Sequence, residues 1–173
     1  MATFFGTAGN DTYTGTNGAD AIDGSPNGNP NADTGADTLS GQGGNDTIYG
    51  RAGGDSLSGG LGFDQLYGGD GNDVLTDSGD GAYLSGDAGN DTITAVNSGT
   101  FVFLEVSGGD GADSISATGN GLSGQGAFLW GDAGNDTISG SGAATRFPAA
   151  RTMTASLATM GTTSSTAMPA TTR

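Results

Sequence analysis

Two nine-residue units stand back to back at residues 59–76, and they constrain the fold more than any other feature of the chain. They read GGLGFDQLY and GGDGNDVLT. Each unit has Gly at its first, second and fourth places, Asp at the sixth and Leu at the eighth. A fixed period of this kind is typical of solenoids, in which each repeat packs only against its neighbours.

The unit itself predicts a loop followed by a very short strand. Its glycines favour a tight loop, because glycine adopts backbone angles that other residues avoid. The last three residues place one apolar side chain between two polar ones, as in a strand with one buried face. Two nine-residue units then make one turn of 18 residues. Successive turns stack as parallel sheets whose strands lie about 4.8 Å apart.

The sixth-place Asp predicts a metal site between the turns. Carboxylates at the same place in successive turns lie close enough to repel each other. A hard divalent cation removes this repulsion, and Ca²⁺ suits a site of carboxylate and backbone carbonyl oxygens. The unit therefore predicts calcium as the cofactor, with several ions bound.

The nonapeptide resembles the RTX repeat, the glycine-rich calcium-binding unit of proteins exported by type I secretion. The resemblance implies an all-β fold, a parallel β-roll (solenoid) of stacked turns over residues 1–140. It also implies that sixth-place carboxylates act with loop carbonyls, so that each ion joins two turns. An extracellular location, secreted or at the cell surface, follows from the family, although its C-terminal secretion signal is not recognisable here.

The units are expected to sort onto two edges of the roll. Regular units begin at residues 6, 15, 32, 41, 50, 59, 68, 86, 108 and 131, and irregular stretches cover 24–31, 77–85, 95–107 and 117–130. If each irregular stretch fills one half-turn, one edge carries a nearly complete calcium ladder and the other a partial one. The expected metal ligands of the first edge are Asp20, Asp37, Asp55, Asp73, Asp91, Asp113 and Asp136. Those of the second are Asp11, Asp46 and Asp64.

The eighth-place residues predict the buried core, one apolar side chain per unit between two thin sheets. They are Tyr13, Ile22, Leu39, Ile48, Leu57, Leu66, Leu75, Leu84, Ile93, Ile115 and Ile138. Such a core is small, so metal binding is expected to supply much of the folding free energy.

Composition excludes several classes of function. The 173 residues carry a formal charge of −15 and include no Lys, Cys or His. Nucleic acid is therefore not an expected partner, since little in the chain could neutralise phosphates. Zinc sites of the usual kind, Cys nucleophiles and His-dependent triads are also excluded. No apolar run is long enough for a membrane span. High Gly content and high net charge predict disorder in the absence of calcium.

Residues 141–173 break the pattern and predict a disordered tail without calcium sites. No acid follows Asp136, and the tail is rich in Thr, Ala and Ser. When the reading frame is shifted, residues 158–172 become compatible with the same nonapeptide. We interpret the tail as a frame-shifted continuation of the array, and a genuine Thr/Ala-rich linker is the alternative.

Three irregular stretches are apolar and are expected on one side of the roll. Counting back from the next regular unit, Leu84, Val106 and Leu129 should point inward. One interpretation is packing that replaces missing calcium sites. The other is a surface for self-association or a partner, because exposed aromatic patches mark contacts. The residues expected on this aromatic side are Tyr83, Phe101, Phe103, Phe128 and Trp130.

A non-enzymatic, extracellular calcium-binding β-roll is therefore expected, which folds on binding Ca²⁺ and has a structural, adhesive or matrix role. The alternative is the non-catalytic repeat module of a secreted enzyme or toxin, such as a protease, lipase or alginate epimerase. The array begins within six residues of Met1, which favours the first hypothesis. A partner domain downstream is compatible with the second.

Overall fold

A computed structural model describes residues 1–29, 31–97, 103–119, 127–140 and 145–146. The chain is an all-β parallel solenoid of about six turns, which confirms the predicted β-roll. Strands alternate strictly between two sheets. The eight-stranded sheet contains β1 (Thr3–Phe5), β3 (Ala21–Asp23), β5 (Thr47–Ala52), β7 (Phe63–Asp70), β9 (Gly81–Ala88), β11 (Leu104–Asp110), β13 (Ala127–Ala133) and β15 (Thr145–Arg146). The seven-stranded sheet contains β2 (Thr12–Thr14), β4 (Thr38–Gly43), β6 (Ser56–Leu61), β8 (Val74–Asp77), β10 (Thr92–Asn97), β12 (Ser114–Gly119) and β14 (Thr137–Gly140).

The strands are longer than the three residues that the unit predicts. From β4 to β13 they have four to eight residues, because each continues from the end of one unit into the start of the next. In β5, Ile48 at the eighth place and Gly50 at the first place of the next unit both face inward and are buried. The first-place Gly therefore belongs to a strand, and it lies directly beside the loop that carries the Asp.

The predicted apolar ladder forms the core. Ten of its eleven residues are no more than 1% exposed, and the remaining one, Tyr13, is half-buried. Tyr13 stacks on Phe4 with ring centroids 4.1 Å apart. Parallel register places equivalent residues above one another, as in the pairs Ile22 with Ile48 and Leu66 with Leu84. The core thus contains the predicted column of eighth-place side chains in each sheet, and further apolar residues are buried where the irregular stretches lie.

The first irregular stretch does not fill a half-turn, which corrects the expected assignment of edges. Strand β3 ends at Asp23 and the next strand, β4, begins at Thr38 in the other sheet. Gly24 occupies the first place of this unit and Asp37 the sixth, so eight extra residues lie within a single loop. Pro26–Gly28 forms a tight turn in this insertion, in which Asn27 has left-handed backbone angles (φ 51°, ψ 28°).

The other three irregular stretches do fill half-turns, as predicted. They provide β9, β11 and β13, all in the eight-stranded sheet. Leu84, Val106 and Leu129 are fully buried, as expected. Where the regular units carry the sixth-place Asp, these strands instead bury apolar residues, which pack in register as Ala82, Leu104 and Ala127.

Two residues of the Thr/Ala-rich tail join the roll. Thr145 and Arg146 form β15, which pairs in parallel with Ala127 and Phe128 of β13. The remainder of the tail, 141–144 and 147–173, lies outside the described residues, and so does Phe101 of the aromatic side. Among the described residues, no helix has the length and apolar character needed to cross a membrane.

Candidate calcium-binding edges

One edge of the roll carries a row of seven aspartates that are linked by hydrogen bonds. In each pair the backbone amide of one Asp donates to Oδ1 of the Asp in the next turn, at 2.8–3.1 Å. The spacing along the chain is 18 residues in regular turns. It rises to 22, 23 or 26 where an irregular stretch intervenes. We name this row the long ladder: Asp11, Asp37, Asp55, Asp73, Asp91, Asp113 and Asp136.

The opposite edge carries a shorter row that ends halfway along the roll. The amide of Asp20 donates to Oδ1 of Asp46 at 2.7 Å, and the amide of Asp46 donates to Oδ1 of Asp64 at 2.8 Å. We name these three residues the short ladder. Beyond Asp64, the equivalent place is occupied by the buried Ala82.

The structure therefore exchanges two of the predicted residues between the edges. Asp11 was expected on the partial edge and Asp20 on the nearly complete one, and both expectations are wrong. The reason is the insertion between Gly24 and Asp37, which lengthens one loop instead of adding a half-turn. All ten predicted aspartates do occur in ladders, and the prediction of one long and one partial row is confirmed in its general form.

The second carboxylate oxygen of most ladder residues is buried and has no hydrogen-bond partner among the described residues. Such a group is costly, because it has lost water and gained no donor. All but two of the ten predicted ligands have this feature. The oxygens are Oδ2 of Asp37, Asp46, Asp55, Asp64, Asp73, Asp91, Asp113 and Asp136.

The two exceptions lie in the first turn, where protein donors already occupy the carboxylates. Oδ2 of Asp11 accepts the backbone N–H of Thr7 at 2.5 Å. Asp20 accepts N–H bonds from Ala2 at 2.5 Å and from Thr16 at 2.6 Å. The bonds from Ala2 and Thr16 also lower the pKa of Asp20. These two aspartates fit a metal less well than the other eight.

At six of the eight orphan oxygens a backbone carbonyl of the next turn approaches the same first-place glycine, which leaves the space for both. The six belong to Asp37, Asp46, Asp55, Asp73, Asp91 and Asp113. A Cβ added to Gly50 would lie 2.5 Å from Oδ2 of Asp55 and 2.7 Å from the carbonyl oxygen of Gly68 in the next turn. No real side chain tolerates such distances. Glycine at the first place is therefore required by a close approach of oxygens, in addition to the backbone freedom that its loop exploits.

Burial also raises the pKa of seven ladder carboxyls, since a charged group in a poorly solvated site is disfavoured. They are Asp37, Asp46, Asp55, Asp64, Asp73, Asp91 and Asp113. Burial and neighbouring acids raise the pKa of Asp37 and of Asp113 to about 6. The same causes raise the pKa of Asp73 to about 7, the contributing acids being Asp55, Asp91 and Asp87. A row of carboxyls that resists ionisation is one that a bound cation would stabilise in its charged form.

Two further buried acids lie at these edges, and the sequence pattern did not predict them as candidate ligands. Asp33, within the insertion, is 1% exposed, and its Oδ2 is also without a donor. It lies near Oδ2 of Asp37, since both oxygens approach the position of a Cβ on Gly24. Asp77, the last residue of β8, is 5% exposed and has an orphan Oδ1. Its signal in the sequence is an Asp at an inward-facing first place that regular units fill with Gly.

The oxygens available at the edges, from carboxylates and backbone carbonyls, suit calcium better than a metal whose ligands are all side chains. Among the described residues, no group of three or more His, Cys, Asp or Glu side chains converges on one point. Backbone carbonyls would therefore have to complete any coordination sphere. A mixture of carboxylate and carbonyl oxygens is the ligand set that calcium accepts.

Fold and site together define a class of protein: a parallel β-roll with rows of acidic loops along its edges. The family model described as the RTX calcium-binding nonapeptide repeat (4 copies) matches residues 5–26, 31–66, 49–76, 77–95 and 126–144, which is more than half of the chain. The chain belongs to this family. Its repeats bind several Ca²⁺ ions per repeat region, are typically non-catalytic and occur typically in secreted proteins. Neither a curated protein nor a solved structure matches the chain significantly.

Proposed function

We propose that this chain is an extracellular module whose β-roll folds when calcium binds along both ladders. The observation that carries the proposal is the row of buried carboxylate oxygens without hydrogen-bond donors. Eight aspartates of the two ladders share this feature. A fold that buries so many unpaired acids needs a counter-charge, and the chain's own formal charge of −15 cannot supply it.

The ions would be held by oxygens of two successive turns. In a regular turn these are Oδ2 of the ladder Asp and the carbonyl of the first-place Gly above it, such as Asp55 with Gly68. Asp33 would add a second carboxylate beside Asp37, the second residue of the long ladder. When bound, Ca²⁺ supplies positive charge and links neighbouring turns. The protein contributes the spacing, the buried carboxylates and the glycines that leave room for them.

The affinity expected of such sites suits an extracellular role. Calcium modules outside cells typically have dissociation constants of about 10⁻⁴–10⁻³ M. Sites of that strength stay empty at cytosolic calcium levels and fill outside the cell. Because binding free energy is then folding free energy, the chain would remain unfolded until it reaches calcium.

The outer face of the eight-stranded sheet supports a structural or adhesive role. Tyr49 and Tyr67 stack there with centroids 4.9 Å apart, and Tyr83 continues the row at 5.5 Å. Further along the same sheet, the ring centroids of Phe103 and Phe128 lie 6.3 Å apart, and Phe103 is 49% exposed. Aromatic side chains that remain accessible on one face are suited to contact with a second copy or another partner.

A calcium titration followed by far-UV circular dichroism tests the calcium part, with magnesium as the ionic control. We expect a cooperative gain of β structure with calcium and a much smaller one with magnesium, which prefers octahedral sites with bound water. Asp55→Asn should shift the calcium midpoint to higher concentration. Asp110→Asn is the matched control, because Asp110 is an exposed acid of the same array. Equal responses to both ions, or equal shifts in both variants, would contradict the proposal.

Sedimentation analysis in saturating calcium tests the adhesive part. We expect self-association that Phe103→Ser weakens. Leu61→Ser is the control, because Leu61 is 64% exposed but belongs to β6 of the other sheet. If the wild-type chain stays monomeric at all concentrations, self-association through this face is excluded.

A further inference from the structure

One unit departs from the array at both of its diagnostic places. Units of the short-ladder edge have Gly at the first place, as Gly41 and Gly59 show, whereas the unit that begins at residue 77 has Asp. The same unit has Ala82 at the sixth place. The carboxylate is therefore present, but five residues earlier than usual. Asp77 ends β8 with its side chain turned inward, and only 5% of its surface is exposed.

The side chain of Asp77 meets that of Asp64. Oδ2 of Asp77 accepts the backbone N–H of Gly79 at 3.2 Å. Apart from the facing carboxyl of the other residue, Oδ1 of Asp77 and the fully buried Oδ2 of Asp64 have no hydrogen-bond partner among the described residues. A Cβ added to Gly59 would lie 2.5 Å from both of these oxygens. Two orphan carboxylate oxygens thus converge on one small, glycine-walled space.

A comparison with a regular turn indicates what this space is for. At Gly50 the equivalent space is approached by one carboxylate oxygen, from Asp55, and by one neutral carbonyl, from Gly68. At Gly59 two carboxylate oxygens, from Asp64 and Asp77, are the nearest atoms. Two ionised carboxylates that face each other away from water are unfavourable on their own. The arrangement becomes favourable when a hard cation lies between them.

We propose that Asp64 and Asp77 together bind one Ca²⁺ as a two-carboxylate site that closes the short ladder. The inference rests on the proposed function, since it assumes that the ladders bind calcium. Beyond Asp77 this edge has no further acid at either diagnostic place among the described residues. Buried Ala95 and Ala117 follow Asp77 in register at the first place, and apolar residues occupy the sixth place from Ala82 onward. The site thus stands at the boundary between a metal-bound and an apolar half of one edge.

Calcium sites bind more tightly as the number of charged ligands rises. The Asp64–Asp77 site is therefore expected to belong to the tightest class of sites in the chain. It would be filled first in a titration, and the half-turn at 77–81 would order with it.

Equilibrium dialysis of the full chain against radioactive calcium in calcium buffers tests the inference. We expect Asp77→Asn to bind one Ca²⁺ fewer than the wild type, with the loss in the tightest class. Asp80→Asn is the matched control, because Asp80 is an exposed acid of the same loop, and it should bind as the wild type does. Circular dichroism at saturating calcium verifies that each variant folds.

If Asp77→Asn does not fold, Asp77→Gly is the variant to test, because Gly is the first-place residue of the regular units. We expect it to fold, to keep the number of ions and to weaken one tight site by about tenfold or more. If the wild type binds calcium and the binding isotherm of Asp77→Asn superimposes on that of the wild type, this inference alone is overturned. If Asp77→Asn does not fold, the isotherm of Asp77→Gly is compared in the same way. A wild-type chain that binds no calcium would overturn the proposed function as well.

Discussion

The backbone amide of Asp55 donates a 2.8 Å hydrogen bond to Oδ1 of Asp73, which lies 18 residues further along the chain and one turn further along the roll. The other oxygen of Asp73 has no donor among the described residues and faces the space beside Gly68. Each regular ladder carboxylate therefore has two roles. One oxygen orders the preceding turn, and the other is available to a cation.

Replacing Asp73 by Asn should separate these two roles. The amide oxygen of Asn can still accept the N–H of Asp55, but the amide nitrogen cannot bind a cation. We expect Asp73→Asn to raise the calcium concentration needed for folding several-fold. In a calcium chelator the same variant should have at least as much β structure as the wild type, because a buried charge has been removed. Calcium titrations and circular dichroism in the chelator measure the two effects, with exposed Asp70→Asn as control. A lower β content of Asp73→Asn in the chelator would contradict this division of roles.

The stability of the calcium-free protein should fall as pH rises. The pKa is raised by burial and nearby acids to about 6 in Asp37 and Asp113 and to about 7 in Asp73. A carboxyl with a raised pKa in the folded state binds its proton more tightly there than in the unfolded chain. This stabilisation is complete below about pH 4, the pKa of an unfolded Asp, and is lost as pH rises through about 6 and 7.

Circular dichroism in a calcium chelator at pH 4.5 and pH 7.5 measures this effect. We expect more β structure at the lower pH. In saturating calcium the trend should reverse, because protons compete with the metal for the same oxygens. A calcium-free chain whose β content does not change between the two pH values would show that the buried carboxyls do not control folding.

Gly50→Ala should disrupt one site through packing alone. The added methyl group would lie 2.5 Å from Oδ2 of Asp55 and 2.7 Å from the carbonyl oxygen of Gly68. Overpacking of this kind costs about 1–3 kcal/mol. Gly54→Ala in the same unit is the control, since its methyl group would meet only the carbonyl oxygen of Asn72, at 3.4 Å. Thermal unfolding in calcium should show a clear loss for Gly50→Ala and little change for Gly54→Ala. Equal losses would contradict the close approach of oxygens.

The period of the sequence was enough to predict the column of buried residues and the rows of acids. It could not place Asp11 and Asp20 on the correct edges, because loop length alone does not distinguish an eight-residue insertion from a half-turn. Gly24 is the first-place Gly of the unit whose sixth-place residue is Asp37, but this relationship can be recognised only in the structure, where Asp37 packs beside Gly24. Tyr13, although it stands at a core place, remains half-buried.

Asp77 and Asp33 show a second limit of pattern reasoning. Neither acid occupies the sixth place of a nonapeptide unit, so a search for sixth-place Asp residues does not find them. The alternation of a strand nevertheless turns Asp77 inward, since it lies two residues after the buried Leu75. Asp33 has no such signal, because an insertion follows no period. Its burial depends on how the loop folds against Asp37 and Asp55, whose pKa values it helps to raise.

Arg51 should stabilise the turn that carries the insertion. Its guanidinium donates two hydrogen bonds to Asp23, at 2.6 and 2.9 Å, and lies 4.5 Å from the ring centroid of Tyr49. Burial alone would raise the pKa of Asp23, but the hydrogen bonds from Arg51 and Ser25, together with the charge of Arg51, outweigh it and the pKa is lowered. Hydrogen bonds to charged groups contribute about 1.5–3 kcal/mol. Arg51→Gly should therefore lower stability, measured by urea unfolding in calcium.

The control for Arg51→Gly is Gln42→Gly at the same place of the preceding unit. Both residues have positive φ angles, 87° for Arg51 and 76° for Gln42, so glycine relieves backbone strain in both variants. Gln42 makes only a weak local bond to Ser40. We expect Gln42→Gly to be neutral or stabilising. If Arg51→Gly behaves in the same way, the pairing with Asp23 contributes nothing to stability.

The hydrogen bond that joins residues 18 apart also sets how far the chain reaches. A coiled turn advances the roll by only about 4.8 Å, the distance between neighbouring strands. The same 18 residues span about 60 Å when fully extended. When one turn coils or uncoils, the length that its own 18 residues span therefore changes by about tenfold. Two bodies attached to its ends would be drawn together where calcium is abundant and released to a long tether where it is scarce.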